Sequence, residues 1–289
     1  MKKPMQIIET IPKLKPRAGD AHKGDFGKVC IIAGSLGMSG AAAIAGRAAL
    51  RAGAGMVRVA TAKSVLPIVA SIEPSFTTIG LAEDNAGRIS EKAIKVILDA
   101  VKENDVLAFG PGVGISNGLR SILETLIQQK NLRLVIDADG LNNLGKIKNW
   151  PAQLKADLIL TPHPGEIKRL WSGLCREPLL AERNEQAAKL AQLTKAVVVL
   201  KGAGTVVTDG EKIYINKTGN PGMATAGAGD VLTGVIAALC GQGLNSLNAA
   251  VLGVYVHGLA GDIAAAKTGQ VSLIATDIIE SLCDAFMKI

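Results

Sequence analysis

From Lys28 onward, short runs of aliphatic and β-branched residues alternate with longer stretches whose apolar positions recur every three or four residues. That is the pattern of βα units around a largely parallel sheet. Residues 29–33 predict a buried strand, and the Ala- and Gly-rich residues 40–52 a helix able to approach it closely. A second strand is predicted at 57–61. Residues 90–101 have helical spacing, with Ser90 as cap and Glu91 in the first turn. Residues 105–109 form a strand running into Gly110-Pro111-Gly112, and further strands are expected at 134–136, 158–160 and 197–200. Residues 205–208 and 212–215 flank Asp209-Gly210, which predicts a hairpin with a two-residue turn. Helices at 230–239, 247–265 and 277–287 are all apolar enough to face a core.

No linker, low-complexity run or internal repeat divides the chain, so one domain over 22–289 behind a basic, Pro-interrupted arm over 1–21 is the economical organisation. Most strand ends carry a glycine or polar cluster, and ligands of parallel sheets bind at the carboxyl ends of strands. These loops should therefore converge on one edge.

Composition narrows the class further. A chain of 289 residues, 48% apolar and 20% charged, can bury a large core without disulfides or metals and is not disordered. The net charge of +7 is largely local, because residues 1–28 hold seven Lys/Arg against three Asp/Glu. With only 2 Trp, 2 Tyr and 4 Phe, the remainder is a weak nucleic-acid footprint. Cys30, Cys175, Cys240 and Cys283 form no CxxC or Cys/His cluster and read as buried free thiols of a reducing compartment. The apolar run after Lys2 and Lys3 is too short for a signal peptide, and no uninterrupted apolar stretch suits a membrane span. The expectation is a cytoplasmic protein with neither nucleic acid nor membrane as partner.

The strongest chemical signal is the segment from Asn220 to Asp230, Asn-Pro-Gly-Met-Ala-Thr-Ala-Gly-Ala-Gly-Asp, running straight into a helical pattern. Small residues at a helix start let backbone N–H groups converge on a phosphate or an oxyanion. Asp230 beside them is either a general base toward a hydroxyl attacking a phosphoryl group or an ordinary dipole-stabilised helix Asp. Lys201-Gly202-Ala203-Gly204-Thr205 follows a strand, with Lys201 and Thr205 able to contact phosphate; it is not a Walker loop, since no helix follows. Thr161-Pro162-His163-Pro164-Gly165-Glu166 presents His163 on a proline-stiffened loop, with Pro164 able to start a helix. Asp137-Ala138-Asp139-Gly140 is a carboxylate pair or a plain turn. Gly110-Pro111-Gly112-Val113-Gly114 and Gly53-Ala54-Gly55 lack the context of a dinucleotide fingerprint, which disfavours a Rossmann dehydrogenase. His22 and His257 lie in unrelated contexts, so no metal-ligand set is read.

Together with His22-Lys23-Gly24-Asp25-Phe26-Gly27-Lys28, Ala33-Gly34-Ser35 and Gly40-Ala41-Ala42, these segments resemble the ADP/ATP-dependent NAD(P)H-hydrate dehydratase family, in order from residue 22 onward. The resemblance implies an α/β fold of the ribokinase-like kind, a three-layer α/β/α sandwich on a central, mostly parallel sheet. It also implies a hydro-lyase: the carbinol hydroxyl of hydrated NADH or NADPH, in the S form, is phosphorylated by ADP or ATP, and phosphate then leaves as the ring double bond returns. By motif position, Asp230 is the implied base and Gly227, Ala228 and Gly229 the anion hole. Lys201, Gly202, Ala203, Gly204, Thr205 and Gly229 are the implied nucleotide contacts, and Ala42, Gly114, His163 and Asp230 the implied contacts to the hydrate. Mg²⁺ is implied by phosphoryl transfer, carried mostly by phosphates and water. A homo-oligomer such as a homotetramer is implied as well. Two departures stand out. Ala226 occupies a position where the family often has Gly, and only about twenty residues precede His22, where an epimerase module is often fused, so epimerisation is expected from another chain or spontaneously. The rivals are a small-molecule alcohol kinase of the same superfamily and a non-catalytic nucleotide sensor.

Overall fold

A computed structural model describes residues 5–289, so Lys2 and Lys3 of the basic arm lie outside the described residues. The sheet strands are β1 (Gln6–Ile7), β2 (Lys28–Ile32), β3 (Met56–Ala62), β4 (Thr77–Leu81), β5 (Val106–Phe109), β6 (Arg133–Ile136), β7 (Asp157–Leu160), β8 (Val197–Leu200), β9 (Val206–Thr208) and β10 (Lys212–Ile215). They form one sheet in the order β1-β10-β9-β8-β7-β6-β5-β2-β3-β4. All run parallel except β9, which is antiparallel to both its neighbours.

Helices cover both faces. On one lie α1 (Ser39–Arg51), α2 (Leu66–Ile72), α9 (Ala228–Gly241), α10 (Ser246–Thr268) and α11 (Ala275–Met287), which pack on one another. On the other lie α3 (Ile94–Glu103), α4 (Asn117–Ile127), α5 (Asp139–Leu144), the short α6 (Trp150–Gln153), α7 (Pro164–Leu174) and α8 (Arg183–Thr194). The result is a three-layer α/β/α sandwich. Central strands such as β5, whose Val106, Leu107, Ala108 and Phe109 are fully buried, read as unbroken apolar runs because both their faces are covered. Helix α10 is long and apolar enough by composition to cross a membrane, but most of its apolar stretch is buried within this core.

The predicted strands from 29–33 to 212–215 fall on β2, β3 and β5 to β10 within a residue, and the C-terminal helices on α9 to α11 with slightly longer bounds. Three local expectations change. Ser90 has N-cap backbone geometry, but its hydroxyl donates to the Ala82 carbonyl at 3.2 Å, and a 3₁₀ turn over Glu91–Ala93 precedes α3. The hairpin turn is longer than two residues, since Thr208 pairs with Ile213. Asp209 Oδ1 accepts the amides of Glu211 (2.9 Å) and Lys212 (2.7 Å), so its side chain closes the turn in place of a ladder pair. Of the cysteines only Cys30 and Cys240 are buried, their thiols pushed up to about 12 by desolvation, while Cys283 is exposed on α11.

The layer of α1 and α9 depends on small residues. A Cβ placed on Gly234 would stand 2.1 Å from the Ala45 carbonyl oxygen, so the two helix backbones touch there. Gly234→Ala should force them apart and cost about 1–3 kcal/mol, the range of core overpacking, read as a lowered denaturant midpoint. An unchanged midpoint would mean that this contact does not set the spacing.

Candidate active site

The parallel strands deliver their carboxyl ends to one edge, where the start of α9 meets them. Asp137, directly after β6, is 1% exposed. Its Oδ1 receives the Lys201 ammonium from the end of β8 at 2.5 Å, and its Oδ2 receives the Thr233 hydroxyl from α9 at 2.7 Å. One carboxylate thus ties two strand ends to the helix. The next residue, Ala138, has φ 49°, a strained left-handed backbone that a non-glycine residue adopts only when its surroundings impose it. The strain turns Asp139 the other way, and its Oδ2 accepts the Gly114 amide at 2.9 Å while Asn143 donates to the Gly114 carbonyl at 2.8 Å. Gly110 lies flat on this turn: its φ is 131°, and a Cβ there would stand 2.0 Å from the Asp137 carbonyl oxygen. The Asp137–Gly140 segment is therefore both a turn and a pair of carboxylates with separate partners.

His163 caps α7. Its Nδ1 accepts the Gly165 amide at 2.9 Å, its own amide donates to Glu166 Oε2 at 2.8 Å, and its Nε2 faces Glu166 Oε1 at 3.3 Å. Desolvation, with Lys201 and Arg169 nearby, holds the imidazole below its usual value and so neutral near pH 7. Glu166 is buried, which raises its carboxyl, and its Oε2 lies 3.9 Å from the Lys201 ammonium. Burial alone would lower Lys201, yet the Asp137 and Glu166 carboxylates outweigh it and hold the ammonium above the usual lysine range.

Asp230 is the third residue of α9, after Gly227 at the N-cap (φ 88°), Ala228 and Gly229. No hydrogen bond from the chain reaches its carboxylate among the described residues. Burial, then the Asp137 charge, push it up to about 7, while Lys201 opposes them. A carboxyl group poised there, in the first turn of a helix that begins on small residues, is equipped to take a proton from a hydroxyl that attacks an anionic centre.

The structure brings Lys201, Gly229, Asp230 and His163 to this edge, with Gly114 pinned beside it. Lys201 turns inward to Asp137, away from the loop that follows it. In that loop the Thr205 hydroxyl donates to the Gly202 carbonyl at 2.9 Å and closes the Gly202-Ala203-Gly204 turn. Ala42 has no exposed surface and sits behind the Gly34 turn, so it backs the site. The His22–Lys28 motif lies at the opposite, amino edge of the sheet, where Lys28 donates its amide to Asp105 Oδ2 at 2.8 Å. Sequence reading passed over Thr233, whose only signal was its place one turn beyond Asp230 on the same helix face. It also set aside His257, which α10 places in contact with the Ala228 backbone; burial lowers its imidazole to about 4, and Nε2 has no partner among the described residues. Asp262, also on α10, accepts the Gly219 amide and the Asn220 side chain at 2.9 Å each and so holds the lead-in to the loop. Among the described residues no group of three or more His, Cys, Asp or Glu is disposed to hold a metal.

Comparison with known proteins gives this geometry relatives. The family model described as NAD(P)H-hydrate dehydratase matches residues 29–283. The chain is 44% identical over 272 residues to the bifunctional NAD(P)H-hydrate repair enzyme Nnr of Moorella thermoacetica, covering 93% of this chain and 51% of that protein. It thus spans about half the length of the bifunctional relatives it matches. It is 36% identical over 265 residues to the ADP-dependent (S)-NAD(P)H-hydrate dehydratase of Xanthomonas campestris, covering 90% of this chain and 88% of that one. Among solved structures, the ADP/ATP-dependent NAD(P)H-hydrate dehydratase of Bacillus subtilis, co-crystallized with ATP/Mg²⁺, superposes with a TM-score of 0.81 at 28% identity over 95% of this chain and 94% of that one. A ribokinase from Thermotoga maritima, at 18% identity and a TM-score of 0.55 over 90% of this chain and 99% of that one, shares the fold alone.

The electrostatic assignment is open to direct titration. In Asp137→Asn the negative neighbour is lost and Lys201 is freed, so the Asp230 carboxyl, followed by carbon-13 NMR, should titrate well below about 7. In Lys201→Met it should titrate higher. Unmoved midpoints in both variants would refute the coupling.

Proposed function

The chain belongs to the NAD(P)H-hydrate dehydratase family, and on that premise we propose that it returns the S form of hydrated NADH or NADPH to the reduced dinucleotide, at the expense of ADP or ATP. The observation that supports this most strongly is Asp230, a carboxylate that no donor meets among the described residues and that is raised to about 7 within the small-residue start of α9. As the carbinol oxygen attacks the terminal phosphoryl group, the bridging P–O bond breaks, AMP or ADP leaves with the bridging oxygen, and the Asp230 carboxylate takes the hydroxyl proton. The Gly227, Ala228 and Gly229 segment and the positive end of α9 stabilise the charge that develops on the phosphoryl oxygens. Phosphate then leaves with the C–O bonding pair while the ring nitrogen lone pair fills in behind it, and loss of a proton from the adjacent ring carbon restores the double bond. Hydroxide is a poor leaving group near neutral pH; phosphate is not. His163, neutral and fixed by Glu166, and Gly114, pinned by Asp139, flank the region where the hydrated ring would sit.

Magnesium belongs to the proposal as an ion that arrives with the nucleotide. The oxygens of Asp137 and Glu166 face Lys201, Thr233 and His163, and Asp139 holds the Gly114 amide, which leaves Asp230 as the open carboxylate of the group. That donor set suits Mg²⁺ held mainly by phosphates and water, and does not suit a resident ion caged by protein. When bound, the ion supplies neutralisation of phosphate charge. We further place the reaction in the cytoplasm, in a homo-oligomer such as a homotetramer, served by an epimerase that converts the other hydrate epimer.

The test is to mix the protein with hydrated NADPH, Mg²⁺ and either ADP or ATP and to follow the return of the near-ultraviolet absorbance of reduced nicotinamide. No recovery with either nucleotide refutes the assignment, and accumulation of a stable phosphorylated alcohol would point to a kinase. Turnover should rise with pH through about 7, because the base works deprotonated. Asp230→Asn should abolish turnover while leaving nucleotide binding largely intact; near-normal rates would remove Asp230 from this role.

The same shift acts on stability. Asp230 is raised in the folded state, so folding favours its protonated form, and that contribution is lost as pH rises from the ordinary carboxylate range through about 7. Asp230→Asn should therefore melt higher than the parent above about pH 7 and show a much smaller difference in acid. A variant less stable at both ends would contradict the sign.

A further inference from the structure

Arg183, the first residue of α8, reaches across to the β8–β9 connection. Its Nη1 donates to the Ala203 carbonyl at 2.5 Å, and its Nη2 to the carbonyls of Leu200 and Lys201 at 3.1 Å each. Its Nε is buried without an acceptor among the described residues. A cation at a helix start opposes the dipole, and a buried orphan donor is costly. Both are borne here by a fork that meets three carbonyls, a geometry that only a guanidinium supplies.

The fork also orients the loop. In a trans peptide the carbonyl and the following N–H point in opposite directions. With the Ala203 carbonyl drawn toward Arg183, the Gly204 N–H is turned away from it. The Lys201 amide is already spent on the Pro162 carbonyl at 2.8 Å and the Gly202 amide on Thr205 Oγ1 at 3.3 Å, whereas the amides of Ala203 and Gly204 meet no acceptor among the described residues. The turn thus keeps two free donors, and Arg183 is the side chain that fixes the direction of one of them.

We propose that Arg183 is a positioning residue for the nucleotide: it braces the 201–205 turn from behind so that the free amides face the nucleotide's acceptor atoms, and it acts through the loop without touching the reacting groups. The inference rests on the reading of Lys201, Gly202, Ala203, Gly204 and Thr205 as the nucleotide site.

Arg183→Gln and Arg183→Lys, compared with the parent, test it by two readouts. The first is steady-state kinetics with nucleotide and hydrated dinucleotide varied separately. The expected result is a KM for nucleotide raised about tenfold or more in the Gln variant, with kcat and the KM for the hydrate within about twofold. The Lys variant should recover only part of the loss, because one ammonium cannot span three carbonyls. The second is hydrogen exchange without any ligand, which should quicken at 202–205 and remain unchanged in the core strands. An unchanged nucleotide KM overturns the proposal, as does an equal loss in kcat and both KM values with faster exchange throughout the chain. If calorimetry shows that the parent itself binds neither ADP nor ATP, the nucleotide reading fails and the proposal with it, even where the exchange confirms the brace.

Discussion

A single carboxylate, Asp137, is almost wholly withdrawn from water, with Lys201 meeting one of its oxygens and Thr233 the other. A buried ion pair repays its desolvation only when its geometry is good and its remaining lone pairs are satisfied, and here both conditions hold. The ends of β6 and β8 and the second turn of α9 are thereby fixed to one another. Lys201, with Asp137 on one side and Glu166 on the other, is committed to the site's interior and serves as its counter-charge. Asp230 then sits in a field with more negative than positive neighbours and little water, which is why its carboxyl moves toward neutrality.

That arrangement needs α9 to begin close to the sheet. The small residues along α1 and α9 allow it: with no side chain at Gly234, the Ala45 carbonyl can lie against the α9 backbone, and α9 starts where the strand ends of β5 and β6 can meet it. From below, α10 places His257 against the Ala228 backbone and Asp262 under the lead-in loop. From the other layer, α8 brings Arg183 under the 201–205 turn. Loops that carry the chemistry are thus held from both helical layers by side chains that need never touch a ligand.

How much of this was legible in the sequence follows from burial. Central strands such as 197–200 read correctly because a strand covered on both faces is an uninterrupted apolar run. The edge strand β4, Thr-Thr-Ile-Gly-Leu and half exposed, carried too little pattern, and neither did the two-residue β1. The polar helices α5 and α8 gave no strong apolar stripe either, although they bring in Asn143 and Arg183. At the site, Asp230 and the small residues before it were recognisable because a glycine-rich run into a helix has few other uses. Asp137 stayed ambiguous between turn and carboxylate pair, since its partners Lys201 and Thr233 lie 64 and 96 residues away in the chain.

By itself, then, the sequence determined the fold class, the edge of the sheet where chemistry gathers, and the family, because hydrophobic period, strand-end glycines and motif order are local properties of the chain. Only the tertiary structure decided which groups bear charge and which way they face. It turned Lys201 inward, made His163 a neutral cap of α7 held by Glu166, set Arg183 behind its loop and raised Asp230 toward 7. Protonation and orientation depend on the dielectric and on neighbours distant in sequence, and those exist only once the chain has folded.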